Sequence, residues 1–426
     1  MTQPLPQTSR GFRVRSVSLD GIDSELLALL PADGGHAWVR DGAGFVGWGE
    51  AARFETSGTE RFSRAQRWWA QWCARARVED EVGGPGTGPI AFASFTFDSG
   101  PQSSVVIVPA VIVGHRDGRA WLTTVDLDDD APIRSAINGT APEEPAALGR
   151  VLSWTEGSRP QAQWEGAVAE AIRRITAGEM DKVVLARDVV AELDGPADIA
   201  GLLARLATAY SECWTFNVDG LVGATPELLV RRAGDRVTSR VLAGTVRRRG
   251  DATVDGLAEA LLGSDKDLEE HKYAVHSVAE ALAAHCTDLV VPEAPHVLML
   301  ANVAHLATDV TGNLVDAAPA LALAASLHPT AAVCGTPTER AAALIRELEG
   351  MDRGRYAGPV GWIDAHGDGE FGIALRCAAT EDSPRGPRTS LRLYAGCGIV
   401  AGSDPKAEVA ESEAKLDAVR RALTTD

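Results

Sequence analysis

The sequence predicts a mixed α/β fold of the α+β type. Residues up to about 126 read mainly as strands, whereas the remainder alternates apolar runs of strand length with segments of helical period bounded by capping signals. The 426 residues are 45% hydrophobic, enough for a substantial core. A net charge of −18 argues against a nucleic-acid surface, which needs basic stripes. The six cysteines are scattered without CxxC or finger spacing, as expected of reduced thiols in the cytoplasm. No basic–apolar signal segment opens the chain, and no apolar run approaches the roughly 18 residues of a membrane span.

Residues 1–10 are polar and contain Pro, so a loose tail is expected. The N-terminal portion, 11–150, then holds a helix near Arg61–Arg77 with Trp68 and Trp69 as packing residues, and a strand over Ile90–Asp98. A hairpin follows, with Val105–Val113 and Ala120–Val125 around Gly114–Gly118. Its last part, 127–150, is Asp-, Pro- and Ala-rich and reads as an exposed connection to the region 151–426.

Trp164, Ala167, Val168, Ala171, Ile172 and Ile175 recur at helical spacing, with Gly178 as the stop. The strand after it opens on Lys182. A lysine at the mouth of an apolar strand is often an edge charge, and it equally meets the need of a desolvated amine base. Glu227 stands at the entrance to Leu228-Leu229-Val230, where a solvated end residue is the ordinary reading. Gly244-Thr245 reads as a turn able to offer N–H groups and a hydroxyl to an anion, and Arg247-Arg248-Arg249-Gly250 as a solvated loop.

Ser264, with Asp267 three positions on, marks a helix start, and Leu268, Val275, Val278 and Leu282 form its expected buried stripe. Asp267 and Glu270 lie beside that stripe at i, i+3. The last helix starts near Pro405 and buries Val409, Leu416, Val419 and Leu423, with Glu408, Glu411 and Lys415 on a neighbouring face. A solvated face gives either pattern alone. Two helices each presenting paired carboxylates also make the oxygen-rich site that Mg²⁺ prefers. His305 fits a satisfied core histidine as well as a site residue. Between these lie a turn-rich loop, Leu327–Pro337, a helix near Glu339–Leu348, and strands near Arg353–Trp362 and Phe371–Arg376. Arg376, at a strand end, suits bidentate capture of a carboxylate.

Together these segments resemble the chorismate-utilising enzymes, the family of anthranilate synthase component I, aminodeoxychorismate synthase, salicylate synthase and isochorismate synthase. The resemblance covers about residues 160–423. It rests on Lys182–Arg187, Pro226-Glu-Leu-Leu229, Leu242-Ala-Gly-Thr245, Lys266-Asp-Leu-Glu-Glu-His271, Leu327-His-Pro-Thr330, Arg353-Gly-Arg-Tyr-Ala-Gly358, Ala395-Gly-Cys-Gly-Ile-Val400 and Glu411 with Lys415. It implies one two-lobed domain with large antiparallel sheets at the core and helices outside. It further implies Lys182 as general base and Glu227 as general acid, Glu270 and Glu411 as direct Mg²⁺ ligands, and Asp267 and Glu408 as supports through water. Gly244, Thr245, His305, Ala332, Tyr356, Arg376, Gly396, Gly398 and Lys415 are the implied chorismate site.

Within the family, water attack at C2 needs a base there, and Lys182 stands where ammonia-using members typically have Gln. Pro329-Thr-Ala-Ala-Val333 is similar to the menaquinone-pathway isochorismate synthases, and Ala332 stands where anthranilate and salicylate synthases typically have Thr. Cys334 and Cys397 depart from the usual small residues. The expectation is therefore an Mg²⁺-dependent isochorismate synthase, a cytoplasmic monomer acting without a glutaminase subunit and feeding menaquinone or siderophore formation. Salicylate synthase and an ammonia-using component I are the alternatives. A catalytically dead regulatory protein is the alternative from another class, which the intact base, acid and carboxylate set opposes.

Overall fold

The computed structural model describes residues 11–19, 25–31, 34–126, 149–247, 253–300, 303–383 and 386–424. The expected tail at 1–10, nearly all of the connection at 127–150, and Arg248–Gly250 lie outside the described residues. The strands form two sheets, one of thirteen and one of ten. Among the described residues the pairings are antiparallel except that of Phe12–Leu19 with Ala76–Asp80.

The sheets close on a single apolar layer, because alternate side chains of each point inward. Trp38, Phe45 and Phe216 of the larger sheet meet Phe92, Trp362 and Phe371 of the smaller one, and the rings of Phe45 and Trp362 lie 4.6 Å apart. One carboxylate joins the layers: Glu370 Oε2 accepts from Trp38 Nε1 at 2.9 Å and Trp214 Nε1 at 3.1 Å. The helices Ile199–Ala209 and Pro405–Thr424 cover the outer face of the larger sheet, over a second core that includes Leu203, Val222, Leu393 and Leu416. No described helix is long and apolar enough to cross a membrane.

Residues 12–125 extend both sheets. His36–Arg40 pairs with Trp214–Val218 in the larger sheet, and Ile90–Ser94 with Pro359–Asp364 in the smaller. The expected single strand Val105–Val113 is two, Ser104–Val108 in one sheet and Val111–Arg116 in the other. Pro109 between them has no N–H for a ladder, so the chain changes sheets there. The first long helix ends at Cys73, short of Arg77, which belongs to the strand Ala76–Asp80.

Two further changes of sheet position the site. The chain leaves the larger sheet after Leu221–Thr225 and enters the smaller at Leu228–Ala233, which puts Pro226-Glu227 in the crossing. It returns between Gly369–Ile373 and Cys377–Ser383, which puts Arg376 in a second crossing. The two crossings bond to each other, Ile373 N to Glu227 O and Ala224 N to Arg376 O, both at 3.2 Å.

Candidate active site

A cavity opens at this seam. Its wall takes Glu227 and Arg376 from the crossings, Gly244 and Thr245 from the strand Arg236–Arg247, and Gly396 and Gly398 from Gly386–Ile399. Ala332, Tyr356, Glu270, His305 and Lys415 complete it among the residues expected from sequence. Lys182, Asp267, Glu408 and Glu411 stand behind that wall.

The Gly-x-Gly pair has a steric cause. In the antiparallel pairing of Lys182–Leu193 with Gly386–Ile399, Val184 lies opposite Gly398 and Ala186 opposite Gly396, and Val184, Gly396 and Gly398 line the cavity. A Cβ at Gly398 would overlap Glu270 Oε1 and come within 3.0 Å of Lys182 Cε, and one at Gly396 would lie 3.1 Å from Tyr356 Oη. Bare backbone leaves the room that three functional side chains occupy. The thiol of Cys397, between the glycines, points to the other face and donates to Glu408 O at 3.3 Å. Neither it nor Cys334 lines the cavity.

Gly244-Thr245 is not the expected turn. It is a bulge inside a continuous strand, where the register with Val303–Leu314 slips between Ala243 and Thr245. Gly244 has φ +77°, which a residue without Cβ adopts without strain, and Asp267 packs directly against it.

His305 is a held residue. Arg376 Nη2 lies 2.8 Å from its Nε2, and a guanidinium can only donate, so Nε2 accepts and the ring proton sits on Nδ1, facing Gly244 O at 3.2 Å and Thr245 Oγ1 at 3.1 Å. Burial, and then the charge of Arg376, lowers its pKa well below the ordinary imidazole value, so the ring is neutral. It aims Arg376, whose φ of +48° marks a backbone bent into the crossing.

The two proton-transfer candidates differ. Glu227 is buried, and loss of water pushes its pKa up to about 8, so it stays a protonated acid at neutral pH. Lys182 is 0% exposed, far from the edge charge its sequence position allows. Its Nζ lies 3.3 Å from Glu270 Oε1 and has no hydrogen-bond partner among the described residues.

The expected helix stripes are rotated. On Asp265–Ala283 the buried residues are Glu270, His271, Ala274, Val278 and Leu282, while Leu268 and Val275 are only partly buried. On Pro405–Thr424, Glu408 itself is buried and Val409 and Leu423 are only partly so. These faces meet each other and the cavity wall rather than a plain apolar core, and helical period cannot tell the two settings apart.

Each glutamate there holds a lysine. Lys266 lies 2.6 Å from Glu408 Oε1, Lys415 lies 2.6 Å from Glu411 Oε1, and Lys415 also donates to Gly396 O at 2.8 Å. Glu408 and Glu411 come within 4.8 Å of one another. Burial, and then the charge of Glu411, pushes Glu408 up to about 7. Its buried Oε2 has no hydrogen-bond partner among the described residues. An unpartnered carboxylate oxygen beside the Glu411 carboxylate fits a hard cation with an oxygen shell. Cys397 Sγ lies in the same group, but a hard cation prefers oxygen to sulfur, and this thiol already donates to Glu408 O at 3.3 Å.

Sequence reasoning missed Tyr394, Lys266 and Arg353. Tyr394 stacks on Tyr356 with centroids 4.9 Å apart, and period two from Gly396 would have placed it on the cavity face. Lys266 adjoins Asp267 in a segment already singled out. Arg353, which lines the cavity, had no signal beyond its motif.

A family model described as chorismate binding enzyme matches residues 37–424. An isochorismate synthase of salicylate biosynthesis from Pseudomonas aeruginosa is 36% identical over 414 residues, 91% of this chain and 84% of that protein. An isochorismate synthase of Bacillus subtilis is 41% identical over 276 residues, 62% of this chain and 68% of that protein. Among solved structures, a menaquinone-specific isochorismate synthase from Escherichia coli aligns with a TM-score of 0.78 at 26% identity, covering 98% of this chain and 95% of that one.

Proposed function

We propose, from the premise that this chain belongs to the chorismate binding enzyme family, that it is an isochorismate synthase, an isomerase that converts chorismate to isochorismate. One observation supports this above the rest: a carboxylic acid with a pKa near 8 on the cavity wall and, behind that wall, a fully buried amine without a hydrogen bond among the described residues, the pairing that acid and base roles require.

In its neutral form Lys182 takes a proton from water as the water oxygen bonds to C2. Both ring double bonds shift, the C4–O bond breaks, and Glu227 gives its proton to the departing oxygen. One water enters and one leaves, so the product is an isomer of the substrate. Arg376, aimed by His305, takes a substrate carboxylate, and Lys415 adds a second cation to the wall. Glu270 and Glu411 would hold Mg²⁺, with Asp267 and Glu408 supporting through water; when bound, the ion supplies positive charge against the C1 carboxylate. A lysine base rather than an ammonia site supports an enzyme that works without a glutaminase subunit, and the proposal extends to a cytoplasmic monomer. Its released product would feed menaquinone or siderophore formation.

Product analysis tests the reading. Incubation with chorismate and Mg²⁺ should give isochorismate and residual chorismate near equilibrium, and added ammonium should give no aminated product. Ala332 on the cavity wall carries a methyl and offers no hydroxyl to orient the enolpyruvyl ether for cleavage. Salicylate and pyruvate rising together as the principal products would replace this function with that of a salicylate synthase.

A further inference from the structure

The strand that carries Lys182 has a gap along one edge. On that side Gly335-Thr336 pairs only with Lys182 and Val183, and Val151–Glu156 pairs only from Val189 onward. The backbone groups of Val184 and Ala186 face the gap, where no strand reaches them. All four are nevertheless bonded. Val184 N donates to Cys334 O at 2.8 Å, and Val184 O accepts from Arg353 Nη2 at 2.8 Å. Ala186 N donates to Glu349 Oε1 at 2.7 Å, and Ala186 O accepts from Trp164 Nε1 at 2.9 Å.

Glu349 and Arg353 are themselves bound together. Arg353 Nε donates to Glu349 Oε2 at 2.9 Å and Arg353 Nη2 to Glu349 Oε1. Arg353 Nη1 donates to Val333 O at 2.8 Å, beside Ala332. The guanidinium lies 4.1 Å from the centroid of the Phe97 ring, which closes off its open face. One buried ion pair therefore ties the base-bearing strand, two residues from Lys182, to the loop that places Ala332 on the cavity wall.

The geometry points to Glu349 and Arg353 as a positioning pair for the reaction: a side-chain substitute for the missing strand, which sets the distance between the Lys182 amine and the substrate wall formed by the Ala332 loop. A bolt of this kind acts on attack geometry rather than on affinity, since a misplacement of about 1 Å costs up to about 10²-fold in rate. Lysine cannot replace Arg353, because one ammonium cannot reach Val184 O, Val333 O and both Glu349 oxygens in the guanidinium's fixed fork.

The inference rests on Lys182 as the base, so wild-type product is measured first; a wild type that forms no isochorismate overturns the functional reading, whereas the variants test the pair alone. Glu349→Gln and Arg353→Lys are each checked for a single cooperative melt and full folding at the assay temperature, with Arg353→Gln as a second variant should either fail. Folded variants should lose about tenfold or more in kcat with KM within about threefold of wild type. An unchanged kcat in folded protein would reduce the pair to a structural tie. A raised KM at normal kcat would make Arg353 a substrate ligand. Activity lost only in proportion to the unfolded fraction would overturn the positioning role as well.

Discussion

Two pairs of opposite charge are buried along one strand of this protein, and they are built in opposite ways. Glu349 and Arg353, 2% and 4% exposed, are saturated: both carboxylate oxygens accept, and all three guanidinium nitrogens donate. Lys182 and Glu270 are left open, 3.3 Å apart, with a lysine nitrogen that makes no hydrogen bond. A saturated pair is a rigid part of the frame, because moving it breaks several bonds at once. An open pair keeps its desolvation cost and so holds groups ready to exchange a proton or a ligand. The contrast separates charge that holds shape from charge that does chemistry within one small volume.

The sharpest way to break the comparison is at the open pair. Lys182→Ala should lower kcat by about 10⁴-fold, the upper end for loss of a general base, while chorismate affinity changes little. Near-normal turnover, measured by isochorismate formation, would remove Lys182 from the mechanism. At the closed pair an effect on stability should accompany the loss in kcat. Arg353→Met strands a buried carboxylate and should cost about 3–5 kcal/mol in denaturant unfolding. A loss under about 1 kcal/mol would show that the pair is not the tie its bonds suggest.

Glu411→Gln removes one anionic oxygen and should weaken the Mg²⁺ requirement by about 10–100-fold, read as a shift in the metal titration of activity and of metal-induced thermal stabilisation. An unmoved titration would place the ion elsewhere. The smallest effect is in the pH profile. Glu227 must be protonated to act as the acid, and its pKa is raised to about 8. Activity should therefore hold as pH rises toward 8 and fall about tenfold per unit above it. A limb near pH 4.5, or no alkaline limb at all, would contradict a buried acid in that role.

Most of the chemistry was legible in the chain. Glu227 before an apolar strand, Arg376 at a strand end, the glycines at 396 and 398, and carboxylates at i, i+3 on two helices are local patterns, and local pattern is what side-chain period and turn chemistry express. The elements that failed did so where a local pattern has two tertiary uses. Val105–Val113 looks like one strand until Pro109 passes it between sheets, and helical period puts Leu268 and Val409 in buried stripes where the structure buries Glu270 and Glu408.

What the sequence alone determined is therefore the class of fold, from period and spacing, and a set of candidate site residues, from motifs that resemble those of a known family. Tertiary structure alone decided that Glu227 is a protonated acid, that His305 is neutral with its proton on Nδ1, and that Lys182 is wholly buried. It also decided that Glu349 and Arg353 complete a strand they do not belong to. Those properties depend on desolvation and on partners from 60 to 169 residues away, and neither is a quantity that a local stretch of chain carries.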